Sequence, residues 1–178
     1  MINTVGIIGA GAMGSGIAQV AAQAGWEIVL IDTQQESLTR SRDKLLKILN
    51  RLVEKGRLTD MDSKAIFGRI HYATDQSAVK DCNLIIEAIV ENLDVKKKVL
   101  TGIEAIVGPD TIIATNTSSL SVTEIASAMQ RPDQVCGIHF FNPAPLMKLV
   151  EIVPAVQTST EITNKARSII DSWGKDTV

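Results

Sequence analysis

Short runs of apolar, often β-branched residues alternate with longer segments in which apolar side chains recur every three or four positions. The short runs are typical of strands buried in a parallel sheet, and the longer segments of amphipathic helices packed against it. Strands are predicted at 5–8, 27–31, 70–74, 83–88, 111–115, 135–140 and 149–153, and helices after a turn at 9–14 and at 34–55, 60–67, 95–107 and 160–173. Another helix is predicted to start at Ser121, with Glu124 completing a capping box. The alternation indicates an α/β fold with a doubly wound, mostly parallel sheet.

A glycine-rich turn, GAGAMG at 9–14, joins the first predicted strand to the first helix. Gly9 allows a sharp turn, Gly11 leaves room for a pyrophosphate near the backbone, and Gly14 lets the helix pack close to the strand. The helix N-terminus offers free N–H groups and a positive dipole end to phosphates. In this strand–turn–helix context the motif predicts a Rossmann-type dinucleotide site.

Asp32 follows the second predicted strand, 18 residues after Gly14, close to the spacing of an acid that binds the adenosine ribose. Its carboxylate would accept hydrogen bonds from the ribose hydroxyls and repel a 2′-phosphate. Thr33, Gln34 and Gln35 supply no cation for such a phosphate, so NAD is favoured over NADP. The alternative is an aspartate that only caps the next helix.

Composition gives no indication of a protein that binds nucleic acid or a membrane surface. The 178 residues suit one domain. The 18 basic and 20 acidic residues give a net charge of −2, without the excess of positive charge that such binding requires. No apolar stretch is long enough to span a bilayer, and no signal peptide is visible. Cys82 and Cys136 lie in predicted apolar strands and are interpreted as reduced core residues, so no metal site is predicted, and the expected location is cytoplasmic.

Two candidate groups of polar residues lie where predicted strands end, at the edge that faces the ligand crevice in open α/β sheets. His139 could take a proton from an alcohol, and Glu151, 12 residues later on the next strand, could orient and stabilise the imidazole. A structural histidine beside a surface glutamate is the alternative. Asn116, Ser118 and their neighbours could position a substrate oxygen or simply cap the following helix.

Basic residues form a stripe on the long helix predicted at 34–55. Lys44, Lys47, Arg51 and Lys55 are spaced three or four residues apart and share one face. Such a stripe suits the phosphate-rich part of a ligand, and a solvated helix face is the alternative.

These motifs together resemble the 3-hydroxyacyl-CoA dehydrogenase family, and within it the bacterial members that act on short acyl chains such as 3-hydroxybutyryl-CoA. The resemblance covers essentially the whole chain. It is carried by GAGAMGSGIA at 9–18, IEAIVEN at 86–92, ATNTSSL at 114–120, HFFNP at 139–143 and MKLVE at 147–151.

The resemblance implies reversible, NAD-dependent oxidation of an (S)-3-hydroxyacyl-CoA to a 3-oxoacyl-CoA, in fatty acid or butanoate metabolism. It implies His139 as catalytic base, Glu151 as its partner, and Ser118 and Asn142 as residues that bind the substrate oxygen and help place the cofactor. Arg51, Lys55 and Ser118 are the implied coenzyme A contacts. The implied NAD contacts are Gly9, Gly11, Ala12, Met13, Gly14, Asp32, Ala88, Ile89, Glu91, Lys96, Asn116, Ser118 and Asn142.

Members of the family continue into a C-terminal helical domain that provides the dimer interface and part of the acyl pocket, and residues 1–178 contain no counterpart of it. Residues 1–178 are therefore expected to be the NAD-binding domain with its catalytic His/Glu pair. A longer form is expected to be a homodimer through the helical domain, and this chain a monomer or a dimer of another kind. The alternatives are an NAD-binding module that is inactive alone, or another Rossmann hydroxy-acid dehydrogenase.

Overall fold

The computed structural model describes residues 3–178. Within them one sheet contains the strands β1 (Thr4–Ile8), β2 (Glu27–Ile31), β3 (Ile70–Ala73), β4 (Leu84–Glu87), β5 (Ile112–Thr115), β6 (Val135–Phe140), β7 (Leu149–Pro154) and β8 (Asp176–Thr177). The α-helices are α1 (Ala12–Gln23), α2 (Gln35–Glu54), α3 (Asp60–Gly68), α4 (Leu93–Glu104), α5 (Val122–Ala126) and α6 (Thr160–Ser172). Short 3₁₀ turns lie at Gln76–Val79 and Pro132–Gln134.

The strand order is β3-β2-β1-β4-β5-β6-β7-β8. The strands from β3 to β6 are parallel, β7 runs antiparallel to β6, and β8 is parallel to β7. The order reverses between β1 and β4, which creates a crevice beyond the carboxyl ends of these strands, where ligands bind in doubly wound sheets. The predicted doubly wound, mostly parallel α/β fold is confirmed.

Apolar residues pack on both faces of the sheet. One core cluster joins the strands to α1, α2, α3 and α6, and includes Ile17, Leu45 and Ile170. The other joins them to α4 and α5, and includes Ile103 and Ile125. Helices on both faces explain why the central strands are continuous apolar runs rather than alternating ones.

Three local expectations differ from the structure. Helix α4 begins at Leu93 rather than 95, because the side chain of Asn92 accepts a hydrogen bond from the Val95 N–H and caps the helix. The capping box is only half formed: Ser121 Oγ accepts the Glu124 N–H, but the Glu124 carboxylate pairs with Lys97 instead of turning back. Strand β8 was not predicted, because two polar residues carry no strand periodicity.

Both cysteines are free and buried. Burial raises the pKa of the Cys82 thiol and that of the Cys136 thiol to about 12, so both stay protonated at neutral pH. They behave as small core residues, as interpreted from the sequence.

Candidate active site

The glycine turn between β1 and α1 is the tightest part of the crevice. Gly9 has a φ of 108°, and a Cβ there would lie 2.6 Å from the Ala88 carbonyl oxygen. A Cβ on Gly14 would lie 1.8 Å from the Gly9 oxygen, so only glycine allows α1 to start this close to β1. A Cβ on Gly11 would meet nothing within 4 Å. The open side of the turn is therefore over Gly11, at the start of the helix.

The first turn of α1 presents unpaired backbone donors to that open side. Gly11 is the N-cap residue, so no side chain accepts a hydrogen bond from the first N–H groups of the helix. The first turn also contains no acidic residue. Ala12 is exposed and Met13 half-buried. Free N–H groups with the positive end of the helix dipole form a cradle for an anion, which fits the diphosphate of a dinucleotide.

Asp32 lies beside this cradle at the end of β2. Its Oδ2 accepts the Ala10 N–H at 2.8 Å and its Oδ1 accepts the Gln34 N–H at 2.9 Å. Gln34, rather than Asp32, is the N-cap of α2. Because each carboxylate oxygen can accept a further hydrogen bond, the half-buried Asp32 can still bind hydroxyl groups.

His139 and Glu151 are directly opposite each other in the antiparallel β6–β7 pair. His139 Nδ1 lies 2.7 Å from Glu151 Oε2. The His139 side chain is 16% exposed and stacks obliquely against Phe141, with 4.7 Å between ring centroids. The contact with Glu151 assigns the ring proton to Nδ1 and leaves Nε2 as the proton acceptor.

A cleft of about 300 Å³ connects the histidine to the cradle. Asn116 contributes structurally, because its Oδ1 accepts the Phe140 N–H at 2.8 Å and so fixes the end of β6. The cleft brings together most of the residues proposed from the sequence. Its lining includes Met13, Ala88, Ile89, Glu91, Lys96, Asn116, Ser118, His139 and Asn142.

A buried charge network lies behind this cleft. Lys96, with its side chain 1% exposed, places Nζ 2.6 Å from Glu87 Oε1 and 3.3 Å from Glu91 Oε2. Glu87 is fully buried and also accepts hydrogen bonds from the Ile89 N–H and the Thr115 hydroxyl, both at 2.7 Å. Glu91 and Lys96 therefore sit in the cleft wall as an ion pair held from behind by Glu87.

The Glu91 carboxylate is anchored to the segment after β5. Glu91 Oε1 accepts the Thr117 hydroxyl and the Ser118 N–H. Partial burial alone would raise the pKa of Glu91, but the hydrogen bond from Thr117 and the nearby Lys96 charge lower it overall. Sequence reasoning assigned no role to Glu87 or Thr115, and grouped Thr117 with the residues that could position a substrate oxygen or cap a helix, because only the juxtaposition of β4, β5 and α4 shows what these side chains contact.

A second depression, a groove of about 440 Å³, runs between α1, α2 and the loop that joins β6 to β7. Lys44, Ile48 and Leu52 line it on α2, and Asn142 lines both the groove and the cleft. Arg51, which lies between Ile48 and Leu52 on α2, and Lys55, the C-cap of that helix, were proposed from the sequence; both are exposed and neither lines the groove. Of the basic stripe, Lys44 is the groove residue.

Comparison with known proteins identifies relatives along the whole chain. A family model described as "3-hydroxyacyl-CoA dehydrogenase, NAD binding domain" matches residues 4–178. A probable 3-hydroxybutyryl-CoA dehydrogenase of Deinococcus radiodurans is 46% identical over 170 residues, which are 96% of this chain and 61% of that protein. A 3-hydroxyadipyl-CoA dehydrogenase of Escherichia coli is 42% identical over 177 residues, covering 99% of this chain and 37% of that protein.

Solved structures agree with this result. The crystal structure of a 3-hydroxybutyryl-CoA dehydrogenase from Escherichia coli K12 superposes with a TM-score of 0.98 at 42% identity, over 100% of this chain and 38% of that one. The crystal structure of an (S)-3-hydroxybutyryl-CoA dehydrogenase from Ralstonia eutropha superposes with a TM-score of 0.96 at 39% identity, over 100% of this chain and 63% of that one. The chain thus spans less than two thirds of the length of these relatives.

Among residues 3–178, no helix is long and apolar enough to cross a membrane. The same residues contain no group of three or more His, Cys, Asp or Glu side chains that could hold a metal ion.

Proposed function

Since this chain belongs to the 3-hydroxyacyl-CoA dehydrogenase family, of which it spans the NAD-binding domain, we propose that it serves the reversible, NAD-dependent oxidation of an (S)-3-hydroxyacyl-CoA to the 3-oxoacyl-CoA. The observation that carries the proposal is the hydrogen bond between His139 and Glu151, because His139 lines one cleft with Met13 and Ala88 beside the glycine cradle. A cofactor cradle and a proton acceptor in one cleft are the two devices that oxidation of an alcohol needs.

The residues of the crevice fit NAD. The first-turn amides of α1 would hold the diphosphate, and Asp32 would accept hydrogen bonds from the adenosine ribose. Ala88, Ile89 and Asn116 would flank the nicotinamide end, in the same cleft as His139. When bound, NAD supplies the acceptor for the hydride that leaves the substrate carbon.

His139 would act as the general base. Because Nδ1 is bonded to Glu151, the free Nε2 can take the hydroxyl proton as the alcohol is oxidised, and can return it in the reverse reaction. Glu151 would hold the ring in this orientation and stabilise the imidazolium that forms. Asn142 and Ser118, which line the same cleft, would bind the substrate oxygen and help place the cofactor.

The groove beside the cleft would receive the coenzyme A portion. Ile48, Leu52 and Leu146 supply an apolar wall, and Lys44 is a cation beside it. Arg51 and Lys55 are exposed outside the lining of the groove, so they would meet only a coenzyme A phosphate that projects from it. A short acyl chain, and a place in fatty acid or butanoate metabolism, are proposed by analogy with the relatives named for 3-hydroxybutyryl-CoA.

The decisive experiment uses a form in which residues 1–178 are followed by the helical domain of the family, assayed with acetoacetyl-CoA and NADH. His139→Ala should lower turnover by about a hundred- to ten-thousand-fold with little change in NADH affinity, because the base is lost and the cradle is not. Glu151→Gln should lower turnover less, since the ring is disoriented but present. Near-normal turnover in His139→Ala would remove His139 from the mechanism.

Calorimetry with both cofactors tests the choice of NAD. The chain should bind NAD(H) more tightly than NADP(H), because Asp32 would repel a 2′-phosphate. Asp32→Ala should weaken NAD(H) binding and narrow the gap between the cofactors, and equal affinity in the unsubstituted chain would contradict the assignment. Asp43→Ala, an exposed acid on α2, is the matched control.

A second candidate is an NAD-binding module that turns over poorly without a further domain. Two exposed residues favour it: Ser118 in the cleft, and Leu146 at the groove, which is 77% exposed. A site this open neither fixes the position of an acyl group nor excludes water from the reacting atoms. Steady-state kinetics on residues 1–178, beside a form in which the helical domain of the family follows them, separates the two candidates. For such a form we propose a cytoplasmic homodimer that assembles through the helical domain.

A further inference from the structure

The charge network in the cleft wall is unbalanced. Lys96 is the one ammonium in contact with two carboxylates, Glu87 at 2.6 Å and Glu91 at 3.3 Å. Arg and Lys side chains from other elements do not contact either acid among the residues that the structure describes. If both acids are ionised, the group carries one net negative charge.

The hydrogen-bond partners of Glu87 favour its carboxylate form. The Thr115 hydroxyl accepts the Thr117 N–H at 3.3 Å and donates its own proton to Glu87 Oε2 at 2.7 Å. Glu87 Oε1 receives the Ile89 N–H and the Lys96 ammonium. Both oxygens thus accept from donors, and no neighbouring acceptor is left for a carboxyl proton.

The same reasoning applies to Glu91. The Thr117 hydroxyl accepts the Leu120 N–H at 3.0 Å, so its proton points to Glu91 Oε1, which also accepts the Ser118 N–H. Glu91 Oε2 faces Lys96. Hence two carboxylates and one ammonium form a net anionic group whose position is fixed by three chain segments.

Of the two carboxylates, Glu91 is the one that reaches the cleft. Its side chain is 38% exposed and lines the cleft together with His139, whereas Glu87 is fully buried behind it. The fixed negative charge is therefore presented to the space that also contains the proposed base. Glu87 and Thr117 are positioning residues, which act on the cleft only through Lys96 and Glu91.

From this imbalance we propose that Glu91 sets the preference of the site between the two redox states of the cofactor. The nicotinamide ring is cationic when oxidised and neutral when reduced, so a fixed negative charge in the cleft stabilises NAD⁺ relative to NADH. The inference rests on the proposed function, because it requires the nicotinamide to lie in this cleft. Its consequence is a site that takes up NAD⁺ in preference to NADH and releases NADH readily, while hydride transfer to the bound NAD⁺ is less favourable than it would be without the charge.

The test is the ratio of two dissociation constants, for NADH and for NAD⁺, each measured by calorimetry on residues 1–178. Glu91→Gln should lower the ratio Kd(NADH)/Kd(NAD⁺) by about three- to tenfold, a range typical of one partly screened charge, and Glu91→Ala should lower it equally. Damage to the fold would weaken both cofactors together and leave the ratio unchanged. The ratio therefore distinguishes the charge from packing.

Two controls complete the design. Glu124→Gln removes another acid that is paired with a lysine, because Glu124 lies 2.9 Å from Lys97, but Glu124 does not line the cleft. It changes the net charge of the chain by the same amount as Glu91→Gln and should leave the ratio unchanged. Thr117→Val loosens Glu91 without removing its charge, and should change the two constants by similar factors. A ratio that stays within about twofold in both Glu91 variants, or that shifts as much in Glu124→Gln, overturns the inference. Failure of the unsubstituted chain to bind either cofactor would instead overturn the proposed function.

Discussion

Replacing Lys96 with Met should be one of the most destabilising single substitutions in this chain. It would leave the Glu87 carboxylate, which is fully buried, without a counter-ion. Removing one partner of a buried pair costs about 3–5 kcal/mol in the free energy of unfolding. Because Glu87 keeps the Ile89 N–H and the Thr115 hydroxyl as donors, we expect a cost of about 3 kcal/mol, at the lower end of that range.

The two partners should not be equivalent. In Glu87→Gln, Lys96 still has the Glu91 carboxylate 3.3 Å away, so this variant should lose less stability than Lys96→Met. The double variant Glu87→Gln/Lys96→Met removes both charges and should be more stable than Lys96→Met alone. Lys165→Met, which deletes a 54%-exposed lysine paired with Glu161, should cost no more than about 1 kcal/mol.

Urea unfolding of the four variants, followed by circular dichroism, measures these differences. For a domain of this size, 3 kcal/mol corresponds to a fall in Tm of about 6–12 °C. A loss of less than about 1 kcal/mol in Lys96→Met, the value typical of an exposed pair, would refute the reasoning, because it would mean that the Glu87 charge is not paired in the folded state. A double variant less stable than Lys96→Met would refute the assignment of the cost to an uncompensated charge.

The remaining predictions concern two polar groups outside the cleft. Lys175→Met should lower the free energy of unfolding, measured in urea, by roughly 1–3 kcal/mol. The buried Lys175 Nζ donates hydrogen bonds to the carbonyls of Ala144 and Met147, at 2.6 and 2.8 Å, and both carbonyls would lose this donor. An unchanged free energy of unfolding would show that water replaces the ammonium group. Tyr72→Phe should change stability at pH 7 by less than about 0.5 kcal/mol, because the buried Tyr72 hydroxyl has no hydrogen-bond partner among the described residues. Burial, opposed in part by Arg42, raises the pKa of Tyr72 from 10.0 to about 12, so the unfolded chain loses this proton first and stability should fall as the pH rises above 10. Tyr72→Phe should remove that part of the alkaline loss, and an unchanged pH profile would contradict the shift.

The pairing of His139 with Glu151 illustrates what could be predicted from the sequence. Only eight residues, 141–148, separate the predicted strands, too few for the crossover that parallel neighbours need. An antiparallel pair follows, and a 12-residue spacing then allows the two side chains to face each other. The contact was therefore accessible from chain length and strand geometry, before any side chain was placed.

The network around Glu87 was not accessible in the same way. Periodicity alone places a glutamate at the end of an apolar strand at the solvent edge and a lysine on a charged helix in solvent, and only the family resemblance singled out Lys96, as a cofactor contact. Their burial depends on how α4 packs over the ends of β4 and β5, and that packing is decided by contacts distant in the sequence. The same limit applies to the groove, where the helical stripe predicted the correct face of α2 but not that Lys44, rather than Arg51 or Lys55, lines the depression.

The geometry of the candidate site depends on backbone register more than on loops. His139 and Glu151 face each other because β6 and β7 pair residue for residue, and directly opposite Cβ atoms in an antiparallel pair lie about 4.5–5.5 Å apart. The glycine turn is likewise set by the close contact of Gly14 with Gly9 at the end of β1. Within the loop that joins β6 to β7, Phe141 packs on His139 and Asn142 lines the cleft, whereas residues 143–146 line the groove but not the cleft. We therefore expect substitutions at 143–146 to change what the groove admits, while the proton acceptor and the cofactor cradle keep their positions.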